Sequence, residues 1–304
     1  MKNLVVFDFG TSKIKTLLCK VDNFGRFTKK IEFTNVSIGK LLSDGNKIFN
    51  DEKCTILNDF NEKINGLMGN LQECDFEFKA IATEAFRKSP ELEEALYKAT
   101  DKFGIDLEIL TPKRECELLA ANFNLTESDL LLDIGGGSIN AIYKCKSMLN
   151  THCYSLGAYV LHNLFQRNGE LFDNAVYTAM NEYIKKELFS SICKRTFARV
   201  IVGSNQMLSF FNSLSVKTGL NFIKNGSFDA NIVNMLINNV FLNRKYEDLF
   251  QYFEQNPSFM YGADKMLLIL ENFVKFFDIK VISPTDDGIA LGFAKTCLNP
   301  VPFS

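Results

Sequence analysis

Leu130-Leu131-Leu132-Asp133-Ile134-Gly135-Gly136-Gly137-Ser138 is an apolar strand that runs into an aspartate, three glycines and a serine. Glycine adopts φ > 0 readily. The string therefore predicts a turn whose successive backbone N–H groups are uncovered and face one way. Such a nest binds anions and suits phosphate. Asp133, at the end of the strand, is placed to hold a hydrated Mg²⁺ or a water against that phosphate. A glycine-rich hairpin with an ordinary aspartate has the same spelling, and the string alone leaves both readings open.

An earlier stretch repeats the construction. Leu4-Val5-Val6-Phe7-Asp8-Phe9-Gly10-Thr11-Ser12 is again an apolar strand, an aspartate, a glycine and hydroxyl residues. A second strand follows each copy at once, Ile14 to Cys19 and Ile139 to Cys145. Two halves that each open on a strand–phosphate loop–strand hairpin predict a duplicated fold with its ligand between the halves.

The composition fits an ordinary globular chain. At 304 residues there is room for two domains with substantial cores. Hydrophobic content is 46% and charged content 23%. No apolar run approaches the roughly 20 residues that span a bilayer, so no membrane segment is expected. The start, Met1-Lys2-Asn3, leads directly into a strand, and no signal peptide is read there. The eight cysteines form no C-x-x-C pair, the usage expected of a reducing cytoplasm. A net charge of −2 speaks against a nucleic-acid partner, though a cleft can be locally basic on an acidic protein. With two histidines, His152 and His162, any chemistry must rest on carboxylates, hydroxyls and main-chain donors.

Along the first half, strands are expected at about 3–9, 13–20 and 27–36. A helix follows with Ile56, Leu57, Phe60, Ile64, Leu67, Met68 and Leu71 on one stripe. A strand over Phe76–Ala82 leads to Thr83-Glu84-Ala85-Phe86-Arg87. The next helix has Ser89 as N-cap, Pro90 at its first position and Gly104 at its end. After a strand over Leu107–Leu110, Thr111 caps a helix that Pro112 opens. The order then restarts, with strands at about 129–134, 139–145 and 150–155, helices, and a strand over Ala198–Val202 running into Gly203-Ser204-Asn205. Helices fill about 205–277, including Lys265 to Phe277; a strand over Ile279–Ile282 and a helix from Gly288 close the chain.

This β-β-β-α-β-α-β order, met twice, is that of the actin/hexokinase/Hsp70 class. The expected fold class is α/β, with two RNase H-like lobes, the actin-like ATPase fold, and the ligand cleft between them. The expected division is 1–124, with a C-terminal helix at 288–304 packing back on it, and 125–287.

Within that class the chain resembles the exopolyphosphatase/guanosine pentaphosphate phosphatase family. The resemblance rests on Asp8-Phe9-Gly10-Thr11-Ser12, Ala82-Thr83-Glu84-Ala85-Phe86-Arg87, Arg114-Glu115-Cys116-Glu117 and Asp133-Ile134-Gly135-Gly136-Gly137-Ser138. Leu156-Gly157-Ala158 and Asp287-Gly288-Ile289-Ala290-Leu291-Gly292 are weaker matches. It implies hydrolysis of a terminal phosphoanhydride in inorganic polyphosphate or a phosphorylated guanosine nucleotide, in the cytoplasm, and it allows a homodimer. Glu115 matches the family's catalytic glutamate, which activates the attacking water. Phosphate binding would fall to Gly10, Thr11, Ser12, Lys13, Arg87, Gly135, Gly136, Gly137 and Ser138. Asp8, Asp133 and Asn140 would hold Mg²⁺ or Mn²⁺, and Lys113 and Arg114 would steady charge on the transferring group. Read without the resemblance, Glu115 and Glu117 are acids favoured at a helix start, Arg87 is a surface arginine, and Gly203-Ser204-Asn205 is a strand-to-helix loop.

The departures from the family pattern are specific. Thr-Glu after the second glycine loop is here Ile139-Asn140, so an acid becomes an amide. Ser-Asn-Ser in the first loop is Thr11-Ser12-Lys13, which adds a cation, and Gly-Leu-Arg-Glu-Gly is Gly288-Ile289-Ala290-Leu291-Gly292. The extra helical domain of longer members is not expected. Two further readings stand beside the hydrolase: a protein that binds or senses such ligands without turnover, and an actin-like assembly protein, for which no adenosine motif is found.

Overall fold

The computed structural model describes residues 2–10, 13–22, 27–35, 62, 65–66, 76–165, 171–189, 195–203 and 206–298. The chain divides into two compact units, Met1–Asn122 with Ile289–Ser304, and Phe123–Gly288. The helix expected over 56–71 lies outside the described residues apart from Glu62, Asn65 and Gly66, which are helical.

The first unit holds β1 (Lys2–Phe9), β2 (Lys13–Val21), β3 (Phe27–Asn35), β4 (Phe76–Ala82) and β5 (Asp106–Ile109) in the order β3-β2-β1-β4-β5. The hairpin strands β1, β2 and β3 pair antiparallel, while β4 and β5 join parallel. Alternation sends Val5, Phe7, Phe9, Ala80 and Ala82 into one core with Leu92, Leu96 and Ala99 of α2 (Pro90–Asp101). A four-residue α1 (Glu84–Arg87) precedes α2. The Ser89 hydroxyl accepts from Leu92 N at 3.4 Å, Pro90 fills the first turn, and Gly104 at φ +64° ends the run. Next, α3 (Pro112–Ala120) is capped by Thr111, whose hydroxyl accepts from Arg114 N at 3.2 Å.

The second unit repeats the plan with β6 (Asp129–Ile134), β7 (Ile139–Cys145), β8 (Met148–Tyr154), β9 (Arg199–Gly203), β10 (Phe228–Asp229) and β11 (Val281–Thr285), ordered β10-β11-β9-β6-β7-β8. Again the first three strands are an antiparallel meander, and β9 and β11 add parallel. The duplicated mixed α/β sheet is the actin-like ATPase fold. Its helices are α4 (Ala158–Leu164), α5 (Asn174–Phe189), α6 (Met207–Lys217), α7 (Asn231–Leu236), α8 (Tyr246–Leu249) and α9 (Met260–Phe277). Many of the phenylalanines are core filling, as Phe210, Phe211, Phe241, Phe253 and Phe273 show. In the first unit, α10 (Ile289–Leu298) packs against α3, β1 and β2. No described helix is long and apolar enough to cross a membrane.

Three boundaries differ from expectation for identifiable reasons. The β7–β8 connection is a two-residue turn at Lys146 and Ser147, with φ of 50° and 64°. Such double-positive turns favour Asn-Gly, so Lys-Ser gave no turn signal and β8 begins at Met148. The last strand runs to Thr285 through Pro284, tolerated there because β10 pairs only with Val281 and Ile282. Helix α9 begins at Met260, after a 3₁₀ turn at Pro257–Phe259. Lys265, expected at its start, is instead wholly buried, 3.0 Å from Asp264 Oδ2 and donating to the Tyr246 hydroxyl.

Asp129 anchors the start of β6. It accepts from Thr126 N at 2.9 Å, Thr126 Oγ1 at 2.8 Å and Arg199 Nε at 2.8 Å. Burial alone would raise its carboxyl, but Arg199 and Thr126 together hold it below the usual carboxylate range. A depressed folded-state value stabilises above the unfolded pKa and is lost as pH falls through the folded one. The contribution is therefore whole at neutral pH and declines below about pH 4. Asp129→Ala should cost about 1–3 kcal/mol at pH 7. Urea melts at pH 7 and pH 3 check this: the gap between wild type and variant should shrink on acidification.

Candidate functional site

In the first unit, β1 delivers Asp8 and Phe9 to the mouth of the hairpin. The Phe9 carbonyl accepts from Thr83 N at 3.2 Å and from Thr83 Oγ1 at 3.4 Å, which ties the strand end to the start of α1. One turn of α1 then sets Arg87 toward α3. Its Nη1 donates to the Leu110 carbonyl and to Glu115 Oε1. Glu115 is 4% exposed although it lies in the first turn of a helix. A buried carboxylate needs a partner, since an isolated one is strongly disfavoured, and Arg87 is that partner.

The helix carrying Glu115 is itself held by a backbone contact. A Cβ on Gly292 would lie 1.7 Å from the Leu118 carbonyl oxygen, so α10 approaches α3 closer than any side chain permits. That contact explains the closing glycine of the weaker motif at 287–292 in packing terms.

The flanking cations have carboxylate neighbours on their own side of the helix. Lys113 is exposed and lies 4.0 Å from Glu117, and Arg114 sits 3.3 Å from Glu108 and 3.7 Å from Glu117. Positions 113 and 117 are one turn apart and share a helix face, which Glu115 does not. Thr11 and Ser12 lie outside the described residues, as do Ser204 and Asn205; Gly10 follows directly on β1, and Lys13 opens β2.

In the second unit, the glycine loop is organised by α4. The Gly135 carbonyl accepts from Ala158 N at 3.0 Å, and the Gly136 carbonyl accepts from Tyr159 N at 2.8 Å and Val160 N at 3.3 Å. The first-turn N–H groups of α4 are thus used on the loop. In a trans peptide the C=O and the following N–H point in opposite directions. Both carbonyls face α4, so the N–H groups of Gly136 and Gly137 face the other way, side by side. Gly135 N donates to the Ser138 carbonyl at 2.9 Å and closes the turn.

The reason for glycine differs from the one expected. Gly135 and Gly136 do not adopt left-handed φ. The constraint falls on Gly157, where a Cβ would lie 2.4 Å from the Gly136 oxygen and 2.6 Å from the Gly135 oxygen. Leu156-Gly157-Ala158 is therefore the partner surface of the loop.

Asp133 and Asn140 are directly opposite across β6–β7, and Gly203 is opposite Asp133 on the β9 side. They share the face opposite Leu130, Leu132 and Ile134. At the neighbouring α6, Asp286 accepts from Leu208 N at 2.8 Å, Ser209 N at 3.4 Å and Ser209 Oγ at 2.7 Å. A carboxylate of the chain thus caps α6. Sequence reasoning missed Asp286, because the cap comes from 78 residues away and the local N-cap position, Gln206, is at φ 68°.

Among the described residues no group of three or more His, Cys, Asp or Glu side chains converges. Asp8 Oδ2 lies 3.0 Å from Lys15 Nζ, and Asn140 supplies an uncharged oxygen where a hard cation favours charge.

Residues 40–283 match the Ppx/GppA phosphatase family. The chain belongs to that family. No curated protein sequence matches it, but solved structures do. An exopolyphosphatase from Cytophaga hutchinsonii has a TM-score of 0.80 at 17% identity, over 99% of each chain. The Ppx/GppA family member from Aquifex aeolicus has a TM-score of 0.77 at 15% identity, covering 100% of this chain and 99% of that one. At such identities these likenesses show the fold.

Within this Ppx/GppA chain, Gly157 and Gly135 should differ in tolerance. Gly157→Ala pushes a methyl into two carbonyls and should cost about 2–4 kcal/mol. Gly135→Ala meets only the Ser138 oxygen at 3.2 Å and should cost less. Thermal melts of both variants, with tripolyphosphate binding measured alongside, check the ranking.

Proposed function

We propose that this chain removes terminal phosphate from inorganic polyphosphate or a phosphorylated guanosine nucleotide. The observation that carries the reading is the buried Glu115–Arg87 pair, in a chain whose family is defined by phosphatases. Water attacks the terminal phosphorus, the bridging P–O bond breaks, and orthophosphate leaves with the polymer one unit shorter. Glu115 takes the proton of the attacking water. Arg87 orients that carboxylate, and a guanidinium has five N–H donors, more than its two acceptors here use, so it can also meet phosphate oxygens. In the first unit the loop at Gly10–Ser12 would hold phosphate, and in the second the outward N–H groups of Gly136 and Gly137 would do so.

A second reading, capture without turnover, is favoured by Asn140 at a position where the family carries an acid. The two separate cleanly by experiment. Orthophosphate release from polyphosphate by the wild type supports hydrolysis, and Glu115→Gln should lower it by at least about 100-fold while polyphosphate binding persists. Tight binding without release in the wild type would favour capture. Wild-type turnover in Glu115→Gln would remove Glu115 as the base.

A further inference from the structure

Asp8 is 4% exposed at the end of β1. The resemblance assigns this aspartate to a divalent cation, yet a cation of the chain already faces it. Lys15 Nζ lies 3.0 Å from Asp8 Oδ2, and the lysine side chain is only 12% exposed. Register fixes the pair: Asp8 and Lys15 are direct partners in the antiparallel β1–β2 ladder, so both side chains leave the same face. Val6 and Leu17, the next partners on that face, are buried, which confines the lysine stem.

We propose that Lys15 is the resident cation at Asp8, occupying the place of a divalent metal there. Three physical points support this. A buried carboxylate must be compensated, and a neighbouring ammonium does so within the chain. A divalent ion drawn to Asp8 would meet that ammonium at close range, in surroundings where like charges repel more strongly than in water. Mg²⁺ also sheds its waters reluctantly and needs anionic oxygens in return, and the Asp8 carboxylate is already engaged by Lys15. The sequence pointed to Lys13 as the added cation, whereas the ladder puts Lys15 opposite the acid.

This inference rests on the phosphohydrolase reading only for the expectation that a metal belongs at Asp8. Its test reads metal binding, not turnover, so either can fail alone. Mn²⁺ binding to the full chain is followed by the loss of the free-ion electron paramagnetic resonance signal. Wild type and Asp8→Asn should bind Mn²⁺ equally weakly. Lys15→Met uncovers the carboxylate and should bind at least about tenfold more tightly, with a Mn²⁺-dependent rise in melting temperature. The Asp8→Asn/Lys15→Met double variant should lose both gains. Micromolar Mn²⁺ binding by the wild type that Asp8→Asn abolishes would overturn the proposal. So would a folded Lys15→Met variant with no gain. If Lys15→Met does not fold, the wild-type and Asp8→Asn comparison still decides.

Discussion

Two main-chain carbonyls caught by the first turn of α4 determine which way the second glycine loop faces. Gly135 and Gly136 turn their oxygens to Ala158, Tyr159 and Val160, and planarity of the peptide does the rest. The loop needs no left-handed residue at Gly135 or Gly136 to present two N–H groups together. It needs a helix that can approach to within backbone contact, and Gly157 permits that approach. The direction in which the loop faces is specified as much by the residue behind it as by the loop.

The first unit reaches a comparable end by other means. There β1 is tied through Phe9 to Thr83, and the chain continues through one turn to Arg87, which grips both Leu110 and Glu115. The Gly292 contact then presses α10 onto the helix that bears Glu115. Carboxylates in this unit are matched to cations within the chain: Glu115 to Arg87, Asp8 to Lys15, Glu108 to Arg114. Charge compensation by side chains, set by strand register and helix turns, is the pattern the unit repeats.

Much of the fold was legible because its signals are local. The duplicated hairpins, the caps at Ser89 and Thr111 and the stop at Gly104 are written within a few residues of where they act. The family could be read from four short motifs for the same reason. What escaped was set by distance or by small energies. Lys15 faces Asp8 only because of a ladder register, Asp286 caps a helix 78 residues away, and Lys265 is buried by tertiary packing. The turn at Lys146-Ser147 carries no glycine or asparagine to announce it. Between 218 and 259 the elements are two to six residues long, below the length at which periodicity can be recognised.

The central claim, that the second loop presents its N–H groups to a polyanion, is most directly tested by amide spectroscopy with glycine-selective labelling. Tripolyphosphate is titrated into the full chain while glycine amide resonances are followed. Saturable shifts are expected at Gly136 and Gly137, with Gly157 moving little because it lies behind the loop. Shifts centred on Gly157, or unchanged Gly136 and Gly137 amides at saturating tripolyphosphate, would contradict it.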